Sequence, residues 1–195
     1  EEYNISQIPV VIDSGYPATT VTYQDYVSSV GSRTVQTAIR GNSILLDDRV
    51  VVTILNPIHP LEFDDANDNS IVMRLQVYNM TFLLTGDSKA STEASILDAG
   101  IDLSSTVLKV AHHGSQTSTS SEYLELVDPE VALVSVGGGN RYGHPHQETL
   151  DALLIKNVII YRTDLHGSVK IATDGVAYSI QTEFPSSDLS AESVS

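Results

Sequence analysis

The chain has 195 residues, 41% of them hydrophobic and 6% aromatic, which suits one domain with or without a tail. That composition excludes whole-chain disorder, collagen-like repeats and coiled coil. Ten Lys and Arg stand against 25 Asp and Glu, a formal charge of −15. Non-specific electrostatic gripping of nucleic acid or of an anionic membrane is therefore excluded, unless basic side chains or metal ions gather locally. There is no Cys, which removes disulfides, thiolate zinc sites and Cys nucleophiles together. No apolar run approaches the length of a membrane span. The opening Glu1-Glu2-Tyr3 reads as ordinary folded sequence rather than a native start or a signal peptide.

Residues 9–13 are a short apolar run ending in Ser14-Gly15 and predict a buried strand. Thr22 as cap and Gly31 as stop bound a short helix over residues 23–30. Residues 35–55 hold β-branched runs punctuated by Gly41-Asn42 and Asp47-Asp48, a series of strands and turns. The acidic stretch 60–69 reads as a solvated loop, since Asp64, Asp65 and Asp68 lack the ligand spacing and closing Glu of an EF-hand. Residues 71–77 and 80–84 flank Tyr78-Asn79 as a hairpin. A helix over 91–99 stops at Gly100.

Residues 106–111 form a strand that runs straight into His112-His113-Gly114-Ser115, and a helix follows over 121–127. Another buried strand, 131–136, ends in three glycines. Pro145 opens a helix with Leu150, Leu153 and Leu154 on one face. Strands follow at 158–161, 169–172 and 176–180, the last two joined by a turn at Asp174-Gly175. The expected division is a domain over 1–181 and a Ser-rich acidic tail or linker over 182–195. The pattern predicts an α/β layered arrangement with mixed sheets.

Two polar clusters stand where buried strands end. Phe82-Leu83-Leu84-Thr85-Gly86-Asp87 delivers an Asp at a strand tip, with a Gly beside it that permits close approach to the backbone. Leu108-Lys109-Val110-Ala111-His112-His113 delivers two His at another tip. Strand ends are where crevices form in α/β sheets. A carboxylate and a neutral imidazole on neighbouring tips suit a divalent metal. A third cluster, Asn140-Arg141-Tyr142-Gly143-His144-Pro145-His146, opens a helix, whose N-terminus favours an anion; Arg141 and His144 add donors or a proton. The simpler readings are a turn at Gly86-Asp87, a helix-capping His144, an exposed His146 in the first helical turn, and surface positions for His59 and His166.

Taken together, Asn69 to Leu75, Phe82 to Asp87, Leu108 to Ser115 with Ser118, Val134 to Gly137, Asn140 to Pro145, and Tyr161 to Asp164 with Gly167 resemble, in order and spacing, the metallo-β-lactamase-type domain of ComEC competence proteins and their stand-alone relatives. The resemblance implies a four-layer αβ/βα sandwich with a dinuclear site for zinc or manganese at one edge. It also implies metal-dependent hydrolysis of a phosphodiester, DNA among the candidates, by a domain working outside the cytoplasmic membrane or in association with it. Carried over residue by residue, Asp87 matches the metal-bridging carboxylate, and His113, 26 residues later, the metal-binding His. His112 becomes a neighbouring ligand or a substrate-facing group, and which of the two His touches metal stays open. His144 sits near the substrate phosphate; Asn69, Ser115 and Arg141 support the ligands or bind substrate.

One part of the family pattern is absent: the His-x-His/Asp-x-Asp-His motif of the N-terminal half, which supplies most of the metal ligands. The expectation is therefore a later portion of a longer hydrolase, weak or inactive alone, whose partner is the missing N-terminal portion of the same polypeptide. Two alternatives stand beside it. One is a non-catalytic module that binds an anion or a partner chain. The other is a hydrolase of the phosphorylcholine-esterase kind, which the −15 charge favours mildly over a DNA-gripping nuclease.

Overall fold

A computed structural model describes residues 9–185. Its main body is a seven-stranded sheet in the order β3 (Ser43–Asp47), β4 (Val50–Asn56), β5 (Val72–Val77), β6 (Met80–Leu84), β7 (Val107–Lys109), β8 (Val131–Val134) and β9 (Ile159–Arg162). The first four strands are antiparallel and the last four run parallel. Connection length explains the division. Antiparallel neighbours can be joined by tight turns, as at Tyr78-Asn79, whereas parallel neighbours need a crossover. The crossovers are α2 (Ala90–Asp98), α3 (Ser121–Val127) and α4 (Gln147–Ile155). The mixed α/β class expected from the sequence is what the structure shows.

Strand order follows apolar content. Leu83, Leu108 and Ala132 are cross-strand neighbours in the parallel half, and all are fully buried. They join Ile96 of α2, Tyr123, Leu124 and Val127 of α3, and Leu150 and Leu153 of α4 in one core. Each such Leu or Ile contributes about 1.5–3 kcal/mol by leaving water. Val52 and Ile54 form a smaller cluster with Ala38. A separate parallel pair, β1 (Val10–Asp13) with β2 (Thr34–Thr37), is bridged by α1 (Val21–Val30). A C-terminal hairpin, β10 (Val169–Thr173) with β11 (Tyr178–Thr182), follows the single-turn helix α5 (Thr163–His166). Among the described residues no helix is long and apolar enough to cross a membrane.

Several local expectations are corrected. The hydroxyl that caps α1 belongs to Thr20, which accepts from the Tyr23 N–H, so the helix starts before Thr22. The strand of residues 106–111 ends at Lys109, because the chain turns back over residues 111–114 with His112 and His113 in the left-handed region. His166, expected at the surface, is fully buried: α5 folds back on β9, the His166 Nδ1 lies 2.8 Å from the Arg162 carbonyl, and its ring packs 5.3 Å from that of Tyr161. His59 lies at the surface as expected, with Nε2 3.2 Å from the Ser14 carbonyl.

The acidic loop is only partly solvated. Asp64 is exposed, but Asp68 is buried and accepts from the hydroxyls of Ser91 and Thr92. Asp65 takes the Lys89 ammonium at 2.9 Å, which holds its carboxyl below the usual range. Of the expected tail, Thr182 completes β11 and Glu183 accepts from the Ser168 N–H and hydroxyl; residues 186–195 lie outside the described residues.

The most consequential packing contact is a buried carboxylate. Glu93 of α2 is about 1% exposed and accepts from the backbone N–H groups of Thr119 and Ser120, the latter at 2.9 Å. Ser120 caps α3. Two lone pairs on two oxygens meet two donors, so a carboxylate fits where an amide does not. Glu93→Gln would leave one donor facing an NH2 group and should cost about 1–3 kcal/mol in equilibrium denaturation, against a neutral effect for exposed Glu122→Gln.

Candidate functional site

Parallel pairing of β6 with β7 sets Leu84 opposite Lys109, so both strands end at the same edge of the sheet. The chain then turns at Gly86, whose φ is +56°. A Cβ there would lie 2.8 Å from that of Ser70, so only glycine fits without displacing it. The close approach expected at this glycine is therefore made by Ser70, whose hydroxyl accepts the Asp87 N–H at 3.1 Å. On the neighbouring tip the His112 N–H donates to the Gly86 carbonyl at 3.1 Å. The Lys109 ammonium donates to the same carbonyl and to that of Val110, each at 3.1 Å.

His112 and His113 both adopt positive φ, 48° and 57°, which is uncommon for residues with a Cβ and costs of order 1–3 kcal/mol each. That backbone turn brings His113 to Asp87, with Nε2 3.6 Å from Oδ1. The other ring nitrogen of His113 lies 2.6 Å from the Ser135 carbonyl just beyond β8. A carbonyl only accepts, so in the neutral ring the proton sits on Nδ1 and the Nε2 lone pair faces the Asp87 carboxylate. His112 instead places Nδ1 3.4 Å from the Thr117 hydroxyl.

The third cluster closes over this pair. The His146 N–H donates to the Gly114 carbonyl at 2.9 Å, and His146 Nδ1 accepts from the Gln116 N–H at 3.0 Å. The ring of His144 lies 5.6 Å from that of His112, 6.3 Å from that of His113 and 4.9 Å from that of His146. Burial, then the neighbouring His146, His112 and His113, lowers the His144 pKa; Asp87 opposes them. Asn140 shapes the loop with all four of its hydrogen-bonding positions: Nδ2 donates to the Gly137 and His144 carbonyls, and Oδ1 accepts from the Tyr142 and His144 N–H groups.

Asp87, His112, His113 and His144 are thus brought together. Ser115 sits below them, its hydroxyl 3.0 Å from that of Thr117. Asn69 is one step removed: its amide ties the Phe63 and Asp65 carbonyls, each at 2.7 Å, just before Ser70. Arg141 lies at the exposed rim, folded over Tyr142 with 2.7 Å to the phenol oxygen. Sequence reasoning missed two residues. His146, read as an exposed first-turn residue, is half-buried and docks the third cluster on the second. Lys109 was passed over inside an apolar strand, yet a cation interrupting such a run is itself a signal. Burial lowers its pKa and the nearby Asp87 charge raises it.

Among the described residues no group of three or more His, Asp or Glu side chains is arranged to hold a metal ion. Asp87 and His113 are two donors, short of the three or four protein ligands zinc takes.

No family model matches the chain. It is 33% identical over 131 residues to ComE operon protein 3 of Bacillus subtilis, an alignment covering 67% of this chain and 17% of that protein. It is 36% identical over 124 residues to the competence protein ComA of Neisseria gonorrhoeae, covering 63% and 18%. A solved structure from Parabacteroides distasonis, described as a metal-dependent hydrolase, aligns over 73% of this chain and 62% of that one at 12% identity and a TM-score of 0.47. The chain spans about a sixth of the length of the curated relatives it matches.

Two outcomes follow from the geometry. Gly114 has φ +81°, and a Cβ there would fall 2.5 Å from that of Pro145. Gly114→Ala should therefore cost about 1–3 kcal/mol in denaturation and separate the His144 loop from the His112-His113 turn, read as loss of His144 ring shifts by NMR. His144 should titrate below the free value of 6.5. With its folded pKa depressed, its contribution to stability is present above about pH 6.5 and is lost as pH falls through the folded value.

The strand tips carrying Asp87 and His113, on a mixed α/β sheet, thus belong to a chain homologous to a segment of the ComEC-type competence proteins.

Proposed function

We propose that this chain contributes the Asp87–His113 part of the site of a metal-dependent phosphodiester hydrolase, with the remaining ligands supplied by polypeptide outside this sequence. The observation that carries the reading is the His113 Nε2 lying 3.6 Å from the Asp87 carboxylate while its Nδ1 is held 2.6 Å from the Ser135 carbonyl. With the proton on Nδ1, the two facing atoms are both electron-rich and suit a shared cation. Two donors bound to one tetrahedral ion at about 2.0–2.2 Å lie at a similar spacing. The pair fits two corners of such an ion, and the described residues supply no more.

Within this reading Asp87 and His113 would hold the metal, and the Ser135 carbonyl would keep the His113 proton on Nδ1 so that Nε2 stays available. His144, held toward its neutral form, and His112 face the substrate phosphate. Zinc or manganese, as two ions in the complete site, and DNA as one substrate are the finer parts of the proposal, as is a setting at or outside the cytoplasmic membrane. Homology to competence proteins supports the last two. The shortage of donors favours one alternative, a crevice that binds an anion or a partner chain without turnover.

The test is turnover of a chromogenic phosphodiester with added Zn²⁺ or Mn²⁺. The expected result is little or no activity from this chain and metal-dependent activity from a form extended upstream. In that form Asp87→Ala should lower the rate beyond the 10- to 100-fold typical of removing a partner of a ligand. Robust turnover by the present chain would overturn the shortage of ligands. Survival of activity in the Asp87→Ala form would overturn the role of Asp87.

A further inference from the structure

We propose that the slot beside His113 and His144 is a stacking subsite for one unpaired nucleobase, held by Tyr142 through its ring face. The inference rests on the phosphodiester reading and adds the chemistry of what flanks the phosphate. The slot has a volume of about 200 Å³ and is lined by His113, Val136, Gly137, Asn140, Tyr142 and His144. Pockets for drug-sized ligands run to about 300–1,000 Å³, so this one suits a single ring system.

Its aromatic members lie in a graded series of near-parallel planes. Tyr142 and His144 are 5.7 Å apart at 23°, and His144 and His113 are 6.3 Å apart at 22°. Tyr142 is 61% exposed, so a large aromatic surface is left to water at the mouth of a polar site. A base and its phosphate are joined through one sugar, so a base held at Tyr142 brings that phosphate toward His144 and His113.

Two details choose among occupants. The Arg141 guanidinium lies 4.9 Å from the centre of the Tyr142 ring. A cation already placed there disfavours a quaternary ammonium such as choline and favours a neutral ring whose phosphate is anionic. Asn140, the one amide in the lining, has every donor and acceptor committed to its own loop, and the lining contains no carboxylate. No amide or carboxylate in the lining is free to read a base edge, and stacking itself is sequence-tolerant, so the subsite accepts any base. A paired and stacked base hides both faces, so single strands are preferred to duplex.

The chain contains no Trp, so Tyr142→Trp creates its only indole at the slot. Fluorescence of that variant is followed with Mn²⁺ present while a thymidine tetranucleotide, an adenosine tetranucleotide, an abasic sugar–phosphate tetramer or phosphorylcholine is added. Saturable quenching is expected with both base-bearing oligomers at affinities within about three-fold, and at least about five-fold weaker binding of the abasic tetramer. In the otherwise unaltered chain, Tyr142→Ala should weaken oligonucleotide binding about five-fold or more and Tyr142→Phe should retain it. Equal binding of the abasic tetramer, quenching by phosphorylcholine alone, or no quenching by any oligomer would each overturn the base subsite. The phosphodiester reading is decided separately, by metal-dependent turnover of the chromogenic diester, which carries no base.

Discussion

Everything at the candidate site depends on one pairing, the parallel contact between β6 and β7. Parallel strands end at the same edge, so the residues that follow each of them emerge side by side. The Gly86 carbonyl then accepts from both His112 and Lys109, which locks one tip to the other just before the functional side chains begin. Antiparallel pairing of the same strands would have sent Asp87 and His113 to opposite ends of the sheet. The switch from antiparallel to parallel order at β6 is therefore a requirement of the site as well as a feature of topology.

Charge is managed with the same economy. A chain of formal charge −15 places a half-buried ammonium, Lys109, where the Asp87 carboxylate acts on it. The surrounding imidazoles present lone pairs and N–H groups in positions set by backbone partners: Ser135 for His113 and Gln116 for His146. The tautomers are thus decided by the main chain of neighbouring loops, and the rings keep one nitrogen for whatever enters the crevice.

The order of strands and helices was legible in the sequence because the parallel half is written as short apolar runs separated by helical patterns. Asp87, His112, His113 and His144 were legible for the same reason: polar residues at the ends of buried strands have few structural uses. What was not legible came from contacts between distant segments. Nothing local reveals that Asp68 is clamped by Ser91 and Thr92, or that His166 is enclosed by α5 folding back on β9. The docking role of His146 needs Gln116, thirty residues away. The cap of α1 is Thr20 and not Thr22 because either threonine can precede a helix in this stretch, and only the backbone geometry decides between them.

Glu93 links the element that follows Asp87 to the loop that follows His113, and the Ala90 N–H adds a second link to the Thr117 carbonyl. The carboxylate and the imidazoles are therefore not independent fixtures on a passive rim. Loosening the start of α2 would withdraw support from both tips together, because the same contacts brace the element after Asp87 and the loop after His113.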